Sequence, residues 1–259
     1  SKGMMARGYT MMSVGWEFDV PKNSNKMGIE VPAARNPDGS AIRGVVSANF
    51  TPNQRIDDKL LTDLAVYPPV DLEGAESRLI VRTRAAYPGG EEVPREQWSL
   101  RDNRIRLEGG FEAGKTYEVF YLAEAPPIGG LGYAAVRDAV AWLKQGEDSL
   151  AAVEYAYAFG SAQCGRFLRD FVYLGFNTDE QGHQALDGLI ADVAGAGRLV
   201  LNQRWSTPRG VAGYYTASYP FADSAQKDPV SGLAEGLLEN PRVKHAPKIF
   251  YTNMAAEYW

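Results

Sequence analysis

The sequence predicts an α/β fold, in which helices flank a parallel sheet and a β-rich insertion interrupts it. Residues 133–259 alternate between segments of strand and helix character, which is the pattern of a parallel sheet. Residues 17–132 contain mostly strand and turn signals. We therefore expect a core formed by residues 1–16 and 133–259, an insertion over 17–132, and a lid-like loop region over about 198–245.

The insertion and the residues before it are interpreted from local signals. Residues 1–8 are expected to end a helix at Gly8, and YTMMSVGW (9–16) is expected to form a buried strand. The NPDGS segment at 36–40 predicts a turn. Strands rich in β-branched and aromatic residues are expected at 41–50, 77–86 and 115–125.

The second half of the chain predicts the parallel sheet itself. A helix over 133–145 is indicated because Val136, Val140 and Leu143 fall on one face. A second helix is expected from Gln163 until Gly175 ends it. A short buried strand is expected at 152–160, and further strands are expected at 186–197 and 248–253.

Charge and composition exclude several classes of partner. The net charge is −5 and Lys and Arg do not cluster, which argues against a nucleic-acid surface. No apolar stretch approaches the ~20 residues that span a membrane. His183 and His245 lack further ligands at metal spacing, so no metal is expected. The single cysteine, Cys164, leaves the redox compartment open.

GGFEAGKT (109–116) matches the phosphate-binding pattern of P-loop proteins letter for letter. That mechanism needs a helix directly after the lysine, whose free N–H groups hold the phosphates. Here Tyr117, Val119 and Tyr121 alternate with other residues, as in a strand. A hairpin turn is therefore predicted, and a nucleotide-binding protein is kept as the less favoured alternative.

Gly130, Gly132 and Ala135 form a G-x-G-x-x-A string that opens a helix, as in dinucleotide sites. The preceding strand ends several residues too early, and no acidic residue closes the next strand to bind a ribose. We expect these glycines to serve close helix packing, and no cofactor is predicted.

The AFGSAQCGRF segment (158–167) lies where a strand is expected to turn sharply into a helix. In a nucleophile elbow the central residue is strained, so the residues two before and two after it must be small. Ser161 would be flanked by Phe159 and Gln163, and Cys164 would be followed by Arg166. Position 162 alone has small flanks, so Ala162 is the predicted centre.

Several segments together resemble a bacterial α/β-hydrolase-domain family, whose members are often exported and poorly defined in substrate. The matching strings are RGYTMMSVGWEFDVP, GGLGYAAVRDAVAWL, AQCGRFLRDFVYLGFNTDEQG, LDGLIADVAGAG, LNQRWSTP and PKIFYTNMAAEYW. The resemblance implies an α/β-hydrolase sheet flanked by helices, a serine esterase activity and a small-molecule ester substrate. The family elbow is G-x-S-Q-x-G-R, whereas this sequence has G-S-A-Q-C-G-R.

Alanine has no oxygen that could attack a carbonyl, so Ala162 would silence the predicted enzyme. Two explanations compete: a substitution introduced to trap substrate, and a natural pseudoenzyme that only binds ligand. Drift after loss of catalysis would also erode the neighbouring residues. The retained Gln163 and the Gly165–Arg166 pair therefore favour the introduced substitution.

The resemblance also implies the rest of the catalytic machinery. Glu257, which follows the KIFYTN strand, is the expected acid, with Asp192 as the second candidate. Gln163 is expected to supply one oxyanion N–H. No histidine follows Glu257, so the catalytic histidine and the second oxyanion donor are expected outside this chain, which we interpret as an internal part of the full fold.

Substrate contacts are expected from the loops that follow the strands. The candidates for substrate binding are Trp16, Glu17, Ser161, Asn202 and Arg204. The aromatic residues nominated for the lid are Tyr214, Tyr215, Tyr219 and Phe221. Local packing is the alternative role for these side chains. The oligomeric state stays open, and export is expected only from the family resemblance.

Overall fold

The computed structural model describes residues 2–20, 25–61, 67–71, 74, 76–83, 89–101, 104–151, 153–199, 201–208 and 219–258. The chain divides into two compact units, Ser1–Val31 with Gly129–Trp259, and Pro32–Ile128. Residues 17–31 and 129–132, which the sequence grouped with the insertion, fall in the first unit. Local packing explains this, because Ile29 N–H donates to Glu17 O at 3.0 Å and Gly129 lies against the Phe18 ring.

Antiparallel strands form the second unit. They are β1 (Arg43–Phe50), β2 (Ile56–Leu60), β3 (Pro69–Asp71), β4 (Arg78–Arg82), β5 (Glu91–Glu92), β6 (Trp98–Arg101), β7 (Arg104–Phe111) and β8 (Thr116–Glu124). In one sheet β8 pairs with β1, β3 and β4, and β4 pairs with β5. In the other, β7 lies between β2 and β6. The predicted strands at 41–50, 77–86 and 115–125 are confirmed as β1, β4 and β8.

The first unit combines helices with a parallel sheet. Its helices are α1 (Lys2–Met5), α2 (Leu131–Gln145) and α3 (Gln163–Tyr173). Its strands are β9 (Tyr157–Ser161), β10 (Gly188–Asp192), the short β11 (Gln226–Lys227) and β12 (Ala234–Glu235), and β13 (Lys248–Thr252). The order β13-β10-β9 is parallel throughout, whereas β11 and β12 pair with each other in antiparallel orientation.

The core of the first unit is built on α3, as its hydrophobic period predicts. Phe167, Phe171 and Val172 are buried at helical spacing, and Gly175 ends the run with a φ of 85°. The Phe167 ring is stacked between Trp16, at 4.6 Å, and Tyr133, at 4.7 Å. These contacts bring the helical segments together on one face of the parallel sheet, where Leu189 is also buried.

The predicted strand at 9–16 is wrong. Within the part of the chain that the structure describes, no strand pairs with these residues, and Tyr9, Met11 and Met12 are exposed. A strand needs a hydrogen-bonded partner for its backbone, and the apolar pattern does not report whether one is present. Only Trp16 at the end of this segment is buried.

The prediction that β9 is a fully buried strand is also wrong. Tyr157 is 67% exposed and Phe159 69% exposed. The sheet register places Phe159 beside Ile190 of β10, and Ile190 beside Phe250 of β13, in one row across the uncovered face. Among the described residues, helices thus pack on one face of this sheet, and flanking on both faces is not observed. No described helix is long and apolar enough to cross a bilayer.

Candidate functional site

Ala162 joins the end of β9 directly to the start of α3. Its φ of 52° and ψ of −114° lie outside the regions that residues with a Cβ ordinarily occupy. A conformation of this kind costs on the order of 1–3 kcal/mol and is retained only where the surrounding structure enforces it. The exposed Ala162 side chain therefore sits at an enforced, strained turn.

Two glycines enforce this turn because no side chain fits at either position. A Cβ on Gly160 would lie 2.4 Å from the backbone oxygen of Cys164. A Cβ on Gly165 would lie 2.9 Å from Ala194 Cβ and 3.0 Å from Asp192 O. The steric requirement after the turn thus falls on Gly165, whereas the Cys164 side chain is exposed.

The Gln163 side chain connects the turn to two distant segments. Its Nε2 donates to Glu17 Oε1 at 3.2 Å and also to Pro208 O. Burial raises the pKa of Glu17, and the charge of the neighbouring Asp19 raises it further. A carboxyl group that resists ionisation therefore lies beside the first residue of α3.

Asp192 is the last residue of β10, and its carboxylate accepts hydrogen bonds from the last residues of β9 and β13. Its Oδ2 accepts a hydrogen bond from Ser161 Oγ at 2.6 Å, and its Oδ1 accepts one from Thr252 Oγ1 at 2.6 Å. The Ala162 N–H donates to Asp192 O at 2.8 Å. The two hydroxyl hydrogen bonds hold the pKa of Asp192 below its usual range. Asp192 is thus a stable carboxylate whose oxygens both have partners.

Glu257 lies at the same edge of the sheet, in a short 3₁₀ helix (Ala255–Tyr258) that follows β13. Its Oε2 accepts the Met254 N–H at 2.9 Å, which orients the carboxylate. Its Oε1 lies beside Gly195, in the turn after β10, and a Cβ at Gly195 would be 3.5 Å from it. The structure therefore places Ala162, Asp192 and Glu257 at the carboxyl ends of three adjacent strands.

His183 and His245 lie near the amino ends of the parallel strands, at the edge of the sheet opposite Ala162. His183 Nδ1 is 3.2 Å from Asp179 Oδ2, and His245 Nε2 is 3.0 Å from Gly182 O. His183 precedes β10 and His245 precedes β13, whereas Ala162 follows β9. A five-residue strand is about 13 Å long, so these histidines lie at the opposite edge from Ala162. Neither is placed to take a proton from a group at position 162.

The remaining predicted substrate contacts have different surroundings. Trp16 is 7% exposed and stacked on Phe167, so its ring serves the core and has little surface left for a ligand. Asn202 and Arg204 are exposed, and Asn202 contacts Gly130. Tyr214 and Tyr215 lie outside the described residues. Tyr219 and Phe221 pack edge to face at 6.3 Å, and Phe221 is exposed.

Thr252 was not predicted as a site residue, although its hydroxyl donates a hydrogen bond to Asp192 on the neighbouring strand. Its role depends on the pairing of β10 with β13, where Asp192 and Thr252 are register partners. A hydroxyl residue at the end of a predicted strand was the available signal, but strand order cannot be derived from spacing alone.

The GGFEAGKT segment forms a turn followed by a strand, as predicted, but the turn is not a hairpin because it joins β7 and β8, which belong to different sheets. Lys115 lies in the turn between β7 and β8, its Nζ binds Glu112 Oε1 at 2.8 Å, and a strand follows it instead of a helix. The nucleotide-binding alternative is therefore wrong, because the phosphate-holding helix end is missing from this described segment. Gly132 serves close packing, since a Cβ there would be 2.3 Å from Trp16 O. Among the residues described, no cluster could hold a metal ion.

Comparison with known proteins identifies one family. A family model described as an alpha/beta hydrolase domain matches residues 99–229, about half of the chain. No curated protein and no solved structure matches the sequence. The matched region includes Ala162 and Asp192 and ends before Glu257.

Proposed function

Because this chain belongs to the alpha/beta hydrolase domain family, we propose that it is a serine-type carboxylic-ester hydrolase with Ala162 at the nucleophile position. The observation that carries the proposal is the backbone of Ala162, with a φ of 52° between a parallel strand and a helix and with Gly160 and Gly165 packed around it. This is the geometry in which a hydrolase exposes its nucleophile. The strain serves no other evident purpose in the turn.

The chemistry requires an oxygen at position 162. A serine there would carry its Oγ on an exposed Cβ and attack the ester carbonyl carbon, forming an acyl-enzyme and releasing the alcohol. Water would then hydrolyse the acyl-enzyme. Alanine has only a methyl group, so neither step can proceed through this residue.

The start of α3 supports the developing negative charge. The Gln163 N–H follows the turn directly, and N–H groups in the first turn of a helix have no partner inside that helix. Such donors stabilise the oxyanion of a tetrahedral intermediate, and the helix dipole adds to the effect. We assign Gln163 this role as the first oxyanion donor.

Glu257 is the better candidate for the acid of the triad. Both oxygens of Asp192 already accept hydroxyl hydrogen bonds from neighbouring strand ends. Glu257 has one oxygen fixed by the Met254 N–H, and it follows the strand after Asp192, in the chain order that this fold uses. Since His183 and His245 lie at the far edge, the proposal takes its catalytic base from a histidine outside the 259 residues.

The proposed substrate is a small ester that enters beside Ala162. Ser161 and Glu17 lie next to the turn, and the exposed Asn202 and Arg204 belong to the loop that Gln163 binds through Pro208. This loop is the expected source of contacts to the acyl or alcohol group. The family resemblance also leads us to propose export from the cell, which fractionation of the native host would test.

The test restores the nucleophile in the full-length protein. Ala162→Ser should hydrolyse p-nitrophenyl esters and react covalently with a fluorophosphonate, detected as a mass increase. Ala162→Gly, which relaxes the backbone without adding an oxygen, is the matched control and should stay inert. Adding Glu257→Gln to the serine variant should abolish most of the hydrolysis. A serine variant that is folded yet inert across a broad ester panel would contradict the proposal.

A non-catalytic ligand-binding protein is the second candidate, and Ala162 itself favours it. Such a protein would bind the ester without turnover, whereas an enzyme silenced by substitution has a gene that encodes serine at this position. Sequencing codon 162 in the native gene separates the two. An alanine codon, together with saturable ester binding by calorimetry, would establish the binding protein.

A further inference from the structure

Two arginines of α3 hold the turn that follows β10. Arg166 Nε donates to Ala194 O at 2.8 Å. Arg169 Nη1 donates to Gly195 O, and its Nη2 donates to Phe221 O at 2.8 Å. Arg169 is only 6% exposed. Burying a guanidinium is costly unless its N–H groups are bound, and both Nη groups of Arg169 are bound, whereas its Nε has no partner among the described residues. The two arginines together hold the carbonyl groups of residues 194 and 195.

The turn held in this way lies beside Glu257. The Cβ position of Gly195 lies 3.5 Å from Glu257 Oε1 and 3.8 Å from Arg166 Nη2. Gly195 has a φ of 62°, and no side chain separates the guanidinium from the carboxylate there. Arg166 therefore reaches both the backbone of the turn and the neighbourhood of the carboxylate.

Helix α3 thus touches both parts of the proposed site. It begins at Gln163, next to Ala162, and three residues later Arg166 reaches the Glu257 side. The helix is rigid over this short distance because its backbone hydrogen bonds close within one turn. Arg166 therefore fixes the turn that lies between α3 and the Glu257 carboxylate.

We propose that Arg166 is a positioning residue, which holds Glu257 at a fixed place relative to position 162 through the turn at residues 194–197, with Arg169 securing the other side of that turn. The inference rests on the proposed function, since Glu257 must be the acid for its position to affect catalysis. Arg166 itself touches no reacting atom.

The decisive experiment is a double-mutant cycle in the full-length Ala162→Ser protein. Arg166→Gln should lower kcat for an activated ester by about tenfold to a hundredfold and leave KM nearly unchanged, because orientation of the acid matters in the transition state. In a Glu257→Gln background the same change should have little further effect. Additive losses of kcat in the two variants would overturn the proposal.

Arg242 offers a matched control at the other end of α3. Its Nε donates to Tyr173 O at 3.3 Å, and its Nη2 binds Glu235 Oε1 at 2.6 Å. Arg242→Gln therefore removes a guanidinium that contacts a backbone oxygen of the same helix, far from position 162. It should leave kcat unchanged. An equal loss of kcat in this variant would show a general effect of helix stability and overturn the proposal.

Two further measurements test the role of Arg166 separately from the proposed esterase function. Arg166→Lys retains the charge and one donor, so kcat should recover partly relative to Arg166→Gln. Hydrogen exchange on the full-length protein with Ala162 in place should accelerate in Arg166→Gln over residues 193–197 and 254–258 and stay unchanged over β8. Unchanged exchange at both segments would overturn the positioning role. An inert serine variant with the expected exchange pattern would contradict the proposed function alone.

Discussion

At the scale of single residues, the backbone of position 162 is the informative feature. The sequence located this position by steric elimination, and the structure shows the close approach expected at Gly160, whereas the second close approach lies at Gly165 and not at the predicted Cys164. The φ of 52° is a strained value for alanine, and the two close approaches enforce it. The strained turn is therefore recognisable from its backbone alone.

Ala162→Gly should stabilise the protein. Glycine adopts a positive φ without steric cost, so the substitution removes a strain of on the order of 1–3 kcal/mol from the folded state. Glycine also makes the unfolded chain more flexible, which lowers the stability by about 0.4–1 kcal/mol. We expect the free energy of unfolding to rise by about 1 kcal/mol in urea denaturation. The control is Ala139→Gly in α2, which should lower it by about 1 kcal/mol. Destabilisation by Ala162→Gly would show that the turn carries no strain.

Gly165→Ala should destabilise the protein because the added methyl group would lie 2.9 Å from Ala194 Cβ and 3.0 Å from two backbone oxygens. Overpacking of this kind costs about 1–3 kcal/mol. Gly3→Ala is the matched change, since a Cβ there meets nothing within 4 Å. Thermal unfolding should show a lower Tm for the first variant only, and an unchanged Tm would mean that α3 can move away from β10.

Glu17 gives a pH-dependent prediction. Burial and Asp19 raise its pKa, so the folded protein holds this proton more tightly than the unfolded chain does. Ionisation therefore lowers the stability as the pH rises from the ordinary carboxyl pKa through the raised one. Glu17→Gln, which keeps an oxygen acceptor for Gln163, should be more stable than the parent at pH 7 and equal to it near pH 4. Equal Tm values at both pH values would contradict this interpretation.

At the scale of elements, the parallel strands are joined at their ends by side chains as well as by their backbones. Ser161, Asp192 and Thr252 are register partners in β9, β10 and β13, so two hydroxyls converge on one carboxylate. Because Ala162 follows Ser161 directly, this network fixes the start of the turn. At the edge that carries the proposed site, side-chain hydrogen bonds therefore link all three strands in addition to their backbone pairing.

Asp192→Asn tests this network through its pH dependence. The lowered pKa of Asp192 means that its ionised form stabilises the folded state above the ordinary carboxyl pKa, and this contribution is lost as the pH falls through the lowered value. The variant should have a lower Tm than the parent at pH 7, and the difference should shrink toward pH 3. A difference that is independent of pH would assign the effect to packing.

At the scale of the whole molecule, the second unit has adjacent ends. Ile128 N–H donates to Pro32 O at 3.0 Å, and Ala34 N–H donates to Pro126 O at 2.8 Å. The unit has its own core, in which Phe111, Tyr117 and Val119 are buried. Both features are typical of a segment that folds by itself.

Residues 32–128 expressed alone should therefore fold cooperatively. The expected result is a dispersed amide spectrum by NMR and a single sigmoidal transition in urea. A fragment with random-coil shifts would show that this unit depends on the rest of the chain for its stability.

The parts of the fold that the sequence predicted are those with strong local periodicity. Helix α3 and strand β8 followed from their patterns, since each buries a face whose period a short window reveals. The segment at 9–16 failed because pairing is not a local property. The bond between Gln163 and Glu17 joins residues 146 positions apart, and that between Thr252 and Asp192 joins residues 60 positions apart. No spacing rule predicts such contacts.

The aligned ends of β9, β10 and β13 also limit how relatives of this chain can vary in length. Adding or deleting one residue within β10 would turn Asp192 toward the opposite face of the sheet and break both hydroxyl contacts. Parts of the loops between β10 and β13 are also fixed, at Ala194 O by Arg166 and at Pro208 O by Gln163, whereas residues 229–233 between β11 and β12 are exposed. Insertions in relatives should therefore accumulate between β11 and β12, while β9, β10 and β13 keep a constant length.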